Sequence, residues 1–305
     1  MSETIARTAV LTGGAPQRLR MAGFVACFRG IVWREVLRYL HQRERFLSAL
    51  VRPLVWLFIF AAGFRQVLGV SIIPPYETYV LYEVFVTPGL VGMILLFNAM
   101  QSSLSMVYDR ETGAMRTLLV SPFPRSFLLV SKLLGGVAVA LIQVYAFLAI
   151  AYFWEIHPGG PPIELGFGLS IPPPWNGYLT VLPALVISGL MLGALALFMS
   201  SVIRQLENFA GVMNFVIFPM FFASSALYPL WRIRESSPLL YEISRFNPFT
   251  HAVELIRFAL YGQINWLSLA VVIGCTAFFL GAAVFAYNPS KGLIARRGGP
   301  GGAGA

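Results

Sequence analysis

Six apolar stretches, near residues 46–67, 84–105, 127–153, 179–201, 209–228 and 266–287, dominate this chain. Each approaches the roughly 20 helical residues needed to cross the hydrocarbon of a bilayer, so together they predict about six transmembrane helices. Composition agrees: 57% of the 305 residues are hydrophobic and only 11% are charged, a mixture too apolar for a water-soluble domain of this length. The predicted fold class is an all-α membrane protein.

The net charge of +9 fits membrane topology better than nucleic acid, because the basic residues are spread along the chain without a zinc-knuckle or basic-helix pattern. Arg7, Arg18, Arg20, Arg29, Arg34, Arg38, Arg43 and Arg45 all precede the first apolar stretch. The loop after the second carries Arg110, Arg116, Arg125 and Lys132, and Lys291, Arg296 and Arg297 follow the last. The connector from Glu155 to Tyr178 contains neither Lys nor Arg. Positive residues concentrate on cytoplasmic sides, so both termini are expected inside and the 155–178 connector outside. Pro161, Pro162 and Pro172 to Pro174 favour extended backbone in that connector. Residues 1–20 lack an apolar core followed by a small-residue cleavage site, so no signal peptide is expected.

Residues 23–45 interleave Phe24, Phe28, Trp33 and Leu40 with Arg29, Arg34, Arg38 and Arg43, the pattern of an amphipathic helix lying in the inner membrane interface. Residues 1–22 and the Gly-rich tail 288–305 are expected to be disordered. Between Tyr228 and Gly262 the chain is apolar but interrupted by Pro229, Pro238, Pro248 and four arginines, so it cannot span as one helix. Two short helices are predicted, Pro238 to Phe246 and Phe249 to Tyr261, with Thr250 able to cap the second and Gly262 ending it. They read as an outer re-entrant pair whose backbone must be buried against protein.

The segment YDRETGAMRTLLVSPFPRSFLLVSK, from Tyr108 to Lys132, joins the second and third spans on the cytoplasmic side. Asp109, Arg110, Glu111 and Arg116 suit charged contacts outside lipid, while Met115, Leu118 and Leu119 form an apolar cluster able to enter a groove on a partner. Pro122 and Pro124 stop that helix before the next span.

At this place the sequence resembles the permeases of type-2 ABC exporters, which share an acidic-Arg-Glu-x-Gly segment followed by a Leu-Leu-x-Ser-Pro turn. Here those residues are Asp109, Arg110, Glu111, Gly113, Leu118, Leu119, Ser121 and Pro122. The resemblance continues through Tyr82, Glu83, Pro88 and Gly89, and through Leu227 to Leu230, Asn247, Pro248, Thr250 and Glu254. It implies a six-helix permease with a cytoplasmic coupling helix, in the plasma membrane (the inner membrane of a bacterium), paired with a second copy or close homologue. Two ABC ATPase subunits beneath would bind ATP and magnesium, and the cargo would be a lipid, glycolipid, glycan carrier or drug. The sequence itself contains no G-x-x-x-x-G-K phosphate loop, so no cofactor is expected on this chain.

In the second span Leu90, Ile94, Phe97 and Gln101 recur at helical spacing, as do Asn208, Gly211, Phe215, Phe218 and Phe222 in the fifth. The resemblance sets these two helices around the central path, so Phe97, Gln101, Asn208, Phe215, Phe218 and Phe222 are candidate contacts for an amphiphilic substrate, with Asn214 a further polar one. Gly189 and Gly193 form a small-x-x-x-small pair suited to helix packing, and Arg52 is expected to anchor the first span at the headgroups. Cys27, Cys275, His41, His157 and His251 lie singly, without metal-ligand spacing, and read as structural. An ion-coupled carrier is disfavoured because the centres of the spans hold no Asp or Glu, Glu83 lying at an outer edge. An intramembrane enzyme lacks an acid–base or metal set at membrane depth. A non-transporting assembly protein would leave the charged 108–132 segment without a role.

Overall fold

A computed structural model of the chain describes residues 21–41, 43–64, 74–76, 80–111, 123–153, 156, 162–164, 170–203 and 205–286. Two long helices form the centre, α3 (Tyr82–Glu111) and α5 (Trp175–Val202). Both are apolar on all sides, which suits a helix enclosed by other helices rather than one facing water. Around them stand α1 (Met21–His41), α2 (Arg43–Phe64), α4 (Arg125–Tyr152), α6 (Leu206–Phe222) and α10 (Trp266–Ala286). Three short helices, α7 (Leu230–Ser236), α8 (Pro238–Phe246) and α9 (Pro248–Leu260), lie between α6 and α10. A two-stranded ribbon pairs β1 (Ile163–Glu164) antiparallel with β2 (Ser170–Ile171).

Among the described residues four helices contain segments long and apolar enough to cross a membrane: Tyr82–Asp109, Ser126–Tyr152, Trp175–Val202 and Trp266–Ala286. The apolar parts of α2 and α6 are shorter, Ala49–Ile59 and Leu206–Phe222. At 1.5 Å per residue α6 reaches about 26 Å, a little under the hydrocarbon thickness of roughly 30 Å. The outer faces of these helices carry Val55, Phe58, Phe278 and Phe285 in the open, as expected where the solvent is lipid.

α3 packs against α2, α4, α5, α6 and α9, and α5 against α3, α4, α9 and α10. Gly189 and Gly193 let α4 approach α5: a Cβ on Gly189 would meet Val137 at 3.3 Å and one on Gly193 would overlap the end of the Leu133 side chain. α1 runs along α4, where the ring of Phe24 meets Phe123 and Phe127 edge-on with centroids 5.1 Å apart in both pairs. A Cβ on Gly89 would lie 2.5 Å from the Ala226 carbonyl oxygen. Only glycine therefore fits where α3 passes the turn after α6.

Three sequence expectations are corrected. The fifth span was expected to reach residue 228, but α6 ends at Phe222. Ser224, Ser225, Ala226 and Leu227 form a buried turn, so the apolar run continues past the helix because the turn is enclosed, not because it spans. The connector expected to stay helix-free to Tyr178 enters α5 at Trp175, directly after Pro174. α9 is capped by Asn247, whose Oδ1 accepts a hydrogen bond from the Phe249 amide at 3.0 Å, while the Thr250 hydroxyl is buried without a partner among the described residues. Asn and Thr are both competent caps, but Asn247 precedes the first helical residue and Thr250 lies within the first turn.

Candidate functional site

The cytoplasm-facing end, as the arginine pattern predicts it, is where α3 finishes with Asp109, Arg110 and Glu111. Asp109 is paired with Lys132 on α4, Nζ to Oδ2 3.2 Å, with the lysine side chain only 9% exposed. A pair this enclosed ties α3 to α4, because removing either partner leaves a charge without compensation. Glu111 faces another direction. Its Oε1 accepts a hydrogen bond from the backbone amide of Leu206 at 2.8 Å. Leu206 opens α6, and the first amides of a helix have no partner within it, so a carboxylate there satisfies a donor and sits favourably at the positive end of the helix dipole. Gly113, Met115, Arg116, Leu118 and Leu119, the rest of the candidate coupling segment, lie outside the described residues.

The far end of α6 is held by one side chain. Asn247 Nδ2 donates to the carbonyls of Met220 and Ala223, at 2.8 and 2.7 Å, while its Oδ1 caps α9. One amide thus closes the C-terminus of α6 and opens α9, satisfying backbone groups that the helices themselves leave unpaired. Between these two clamps, Asn208, Phe215, Phe218 and Phe222 are exposed, Phe215 at 78%. Phe218 and Phe222 stack with centroids 6.2 Å apart, and Trp56 of α2 meets Phe222 edge-on at 5.8 Å. Asn208 Nδ2 donates to Gln205 Oε1 at 2.6 Å.

The candidates on α3 go elsewhere. Leu90 is buried, whereas Ile94, Phe97 and Gln101 line a cavity of about 170 Å³ between α1, α2, α3 and α4. The two predicted stripes therefore do not meet in one pocket within a single copy of the chain. Arg52, expected at the headgroups, lies in this cavity with its guanidinium 3.9 Å from the centre of the Phe97 ring. Arg38, Asn98 and Gln143 line the same space. Sequence periodicity selected Phe97 and Gln101 but missed Arg52, Asn98 and Gln143, because their association depends on which faces of three helices meet.

At the opposite end of α3, Arg257 of α9 is buried, paired with Glu254, donating to the Ser225 carbonyl at 2.7 Å and lying 4.3 Å from the centre of the Phe85 ring. Burial pushes the nearby Tyr76 phenol up to about 12, with the Arg257 guanidinium opposing that rise. The Tyr82 hydroxyl donates to the Leu227 carbonyl at 2.7 Å. These contacts lock α9 and the turn after α6 onto α3. Among the described residues no group of His, Cys, Asp and Glu could hold a metal ion.

Residues 26–261 match the family model described as ABC-2 type transporter. The chain is 27% identical over 240 residues to the protein named transport permease ycf38 of Pyropia yezoensis, covering 78% of this chain and 75% of that one. It is 29% identical over 179 residues to the Escherichia coli K12 protein named multidrug ABC transporter permease YbhR, covering 58% and 43%. Nodulation protein J of Rhizobium leguminosarum bv. viciae is 27% identical over 124 residues, covering 40% and 45%. The family match covers most of the chain and agrees with its long apolar helices: this is a multi-pass membrane protein, a transport permease and not itself a catalyst. The chain belongs to the ABC-2 type transporter family.

Proposed function

We propose that this chain is the membrane-spanning subunit of an ATP-driven exporter of amphiphilic molecules, powered by a separate ABC ATPase that binds ATP and magnesium. Six helices, α2 to α6 and α10, cross the plasma membrane, the inner membrane if the cell is bacterial, with both termini in the cytoplasm. α1 lies in the inner interface, and α8 and α9 form the re-entrant pair. The segment from Asp109 to Leu119 docks on the ATPase, with Met115, Leu118 and Leu119 filling a groove and Asp109, Arg110, Glu111, Gly113 and Arg116 orienting it.

One contact carries this reading: the hydrogen bond from Leu206 to Glu111 joins the start of the docking segment to α6, the helix with the open phenylalanine face. A displacement of the segment is then delivered to the start of α6 rather than lost in a loose loop. The open face of α6 supports pairing with a second copy or close homologue, since Phe215, Phe218 and Phe222 are exposed among the described residues. The translocation path runs between the copies, with Phe97 and Gln101 reached through the cavity behind α2. Co-purification of the ATPase and its loss on Leu119→Asp test the proposal.

A further inference from the structure

The cavity behind α2 has a chemistry that transport along an apolar path does not require. Its cationic groups are Arg38 and Arg52, and its one carboxylate, Glu35, is engaged by Arg34 with Nη2 to Oε1 at 3.0 Å. Neither Arg38 nor Arg52 has an ion-pair partner among the described residues, so the lining carries unbalanced positive charge. Arg52 is oriented by its position over Phe97, which holds the planar fork of the guanidinium in place while its N–H edges stay available.

Deeper in, Asn98 Nδ2 donates to Ile94 O at 3.0 Å and to Gln143 Oε1. Gln143 is fully buried, and its Nε2 has no acceptor among the described residues. The lining thus combines a buried donor without an acceptor among the described residues with two guanidinium groups. Ile94 and Val139 supply apolar wall. Along α3 the lining begins about 12 Å from Asp109 at Gln101 and continues to Ile94, about 22 Å away, so the cavity runs from the half of the membrane nearest the docking end to about its middle.

We propose that this cavity binds the anionic headgroup of an amphiphile, a phosphate monoester or a group of like charge, within one copy of the chain. The headgroup oxygens are held by Arg52 and Arg38, an acceptor oxygen reaches Gln143 Nε2, and the apolar part leaves along Ile94 and Val139. Bidentate guanidinium contacts to phosphate are the strong form of such pairing. The proposal rests on the exporter reading for its purpose, and gives that exporter an inner-leaflet site for anionic cargo distinct from the open face of α6.

The test is titration of the purified full-length chain in maltoside micelles with dihexanoyl phosphatidic acid, dihexanoyl phosphatidylcholine and inorganic phosphate, read by native mass spectrometry. Phosphatidic acid should bind at least about tenfold more tightly than either of the others, and Arg52→Ala, Arg38→Gln and Gln143→Leu should each weaken it several-fold. Arg38 is exposed, so Arg38→Gln leaves the fold intact and decides the matter if Arg52→Ala does not yield monodisperse protein. Equal affinity for the two lipids, or phosphatidic acid affinity unchanged in Arg38→Gln, overturns the site. Inorganic phosphate binding as tightly as phosphatidic acid overturns the amphiphile and assigns the cavity to a free anion. The titration needs no ATPase, so its failure leaves the exporter reading to be judged by co-assembly.

Discussion

Glu111 Oε1 and the amide of Leu206, 95 residues apart in sequence, are 2.8 Å apart in the structure. The last side chain of α3 closes the first turn of α6, the helix whose other end is closed by Asn247. Among the described residues α6 otherwise packs on α3 and touches α2 through Trp56 and α9 through Phe221 against Phe249. A helix fixed at both ends and open along its length is suited to move as a rigid unit when one end is displaced.

Replacing Glu111 by Ala removes one exposed capping contact, a loss of about 0.5–2 kcal/mol. The variant should therefore fold, insert and still retain its ATPase, while transport falls well below wild type and ATP hydrolysis becomes insensitive to substrate. Measuring hydrolysis with and without substrate checks this. Substrate-stimulated hydrolysis at the wild-type level would show that the contact carries no signal.

Asn247→Ala should be more damaging to the fold than Glu111→Ala. It removes three hydrogen bonds and strands two carbonyls at the end of α6 as well as the first amide of α9, each such buried group costing about 1–3 kcal/mol when unpaired. Expected is a lower melting temperature and reduced yield of monodisperse protein. Asn247→Asp keeps the acceptor for Phe249 but sets a carboxylate oxygen against the two carbonyls, so it should be at least as damaging as Asn247→Ala.

Lys132→Ala leaves Asp109 enclosed and unpaired, a change of about 3–5 kcal/mol when an ion pair is fully buried. Asp109 is 20% exposed, so part of that penalty is relieved by water and the lower end of the range is expected. Exchange of both residues, Asp109→Lys with Lys132→Asp, should recover much of the stability in a thermal melt. If the double exchange is no better than Lys132→Ala, the pair does not hold α3 to α4.

Phe215→Cys should form a disulfide between copies under mild oxidation if the open face of α6 meets its counterpart, because the side chain is 78% exposed in one chain. Phe278→Cys on α10, similarly exposed at 68%, serves as the lipid-facing comparison and should remain monomeric on a non-reducing gel. Equal crosslinking at both positions would point to random collision rather than an interface.

The long apolar helices were legible in the sequence because length and continuity alone mark a span: α4, α5 and α10 lie within a few residues of the predicted stretches. α3 runs on to Glu111, beyond the predicted residue 105, since a helix leaving the hydrocarbon turns polar without ending. α7 went unseen because LWRIRES is seven residues with three charges, too short for periodicity to register. Of the candidate site, the sequence identified the acid Glu111 but not its partner Leu206, since a backbone amide leaves no trace in composition. Arg52 looked like a headgroup anchor by its position near the start of a span; only the meeting of α2 and α3 gives it the Phe97 ring.

The central claim, that a separate ATPase drives this permease through the segment after α3, is tested most directly by affinity purification of the Leu119→Asp variant. Losing a buried apolar anchor commonly costs about 2 kcal/mol or more of binding, and an aspartate in an apolar groove adds desolvation to that loss. In the proposed topology this position lies outside lipid, so membrane insertion should be normal. The account predicts that wild-type protein brings down its ATPase, and that Leu119→Asp, at equal membrane level, brings down none and transports nothing. Full recovery of the ATPase with normal transport in Leu119→Asp would contradict it.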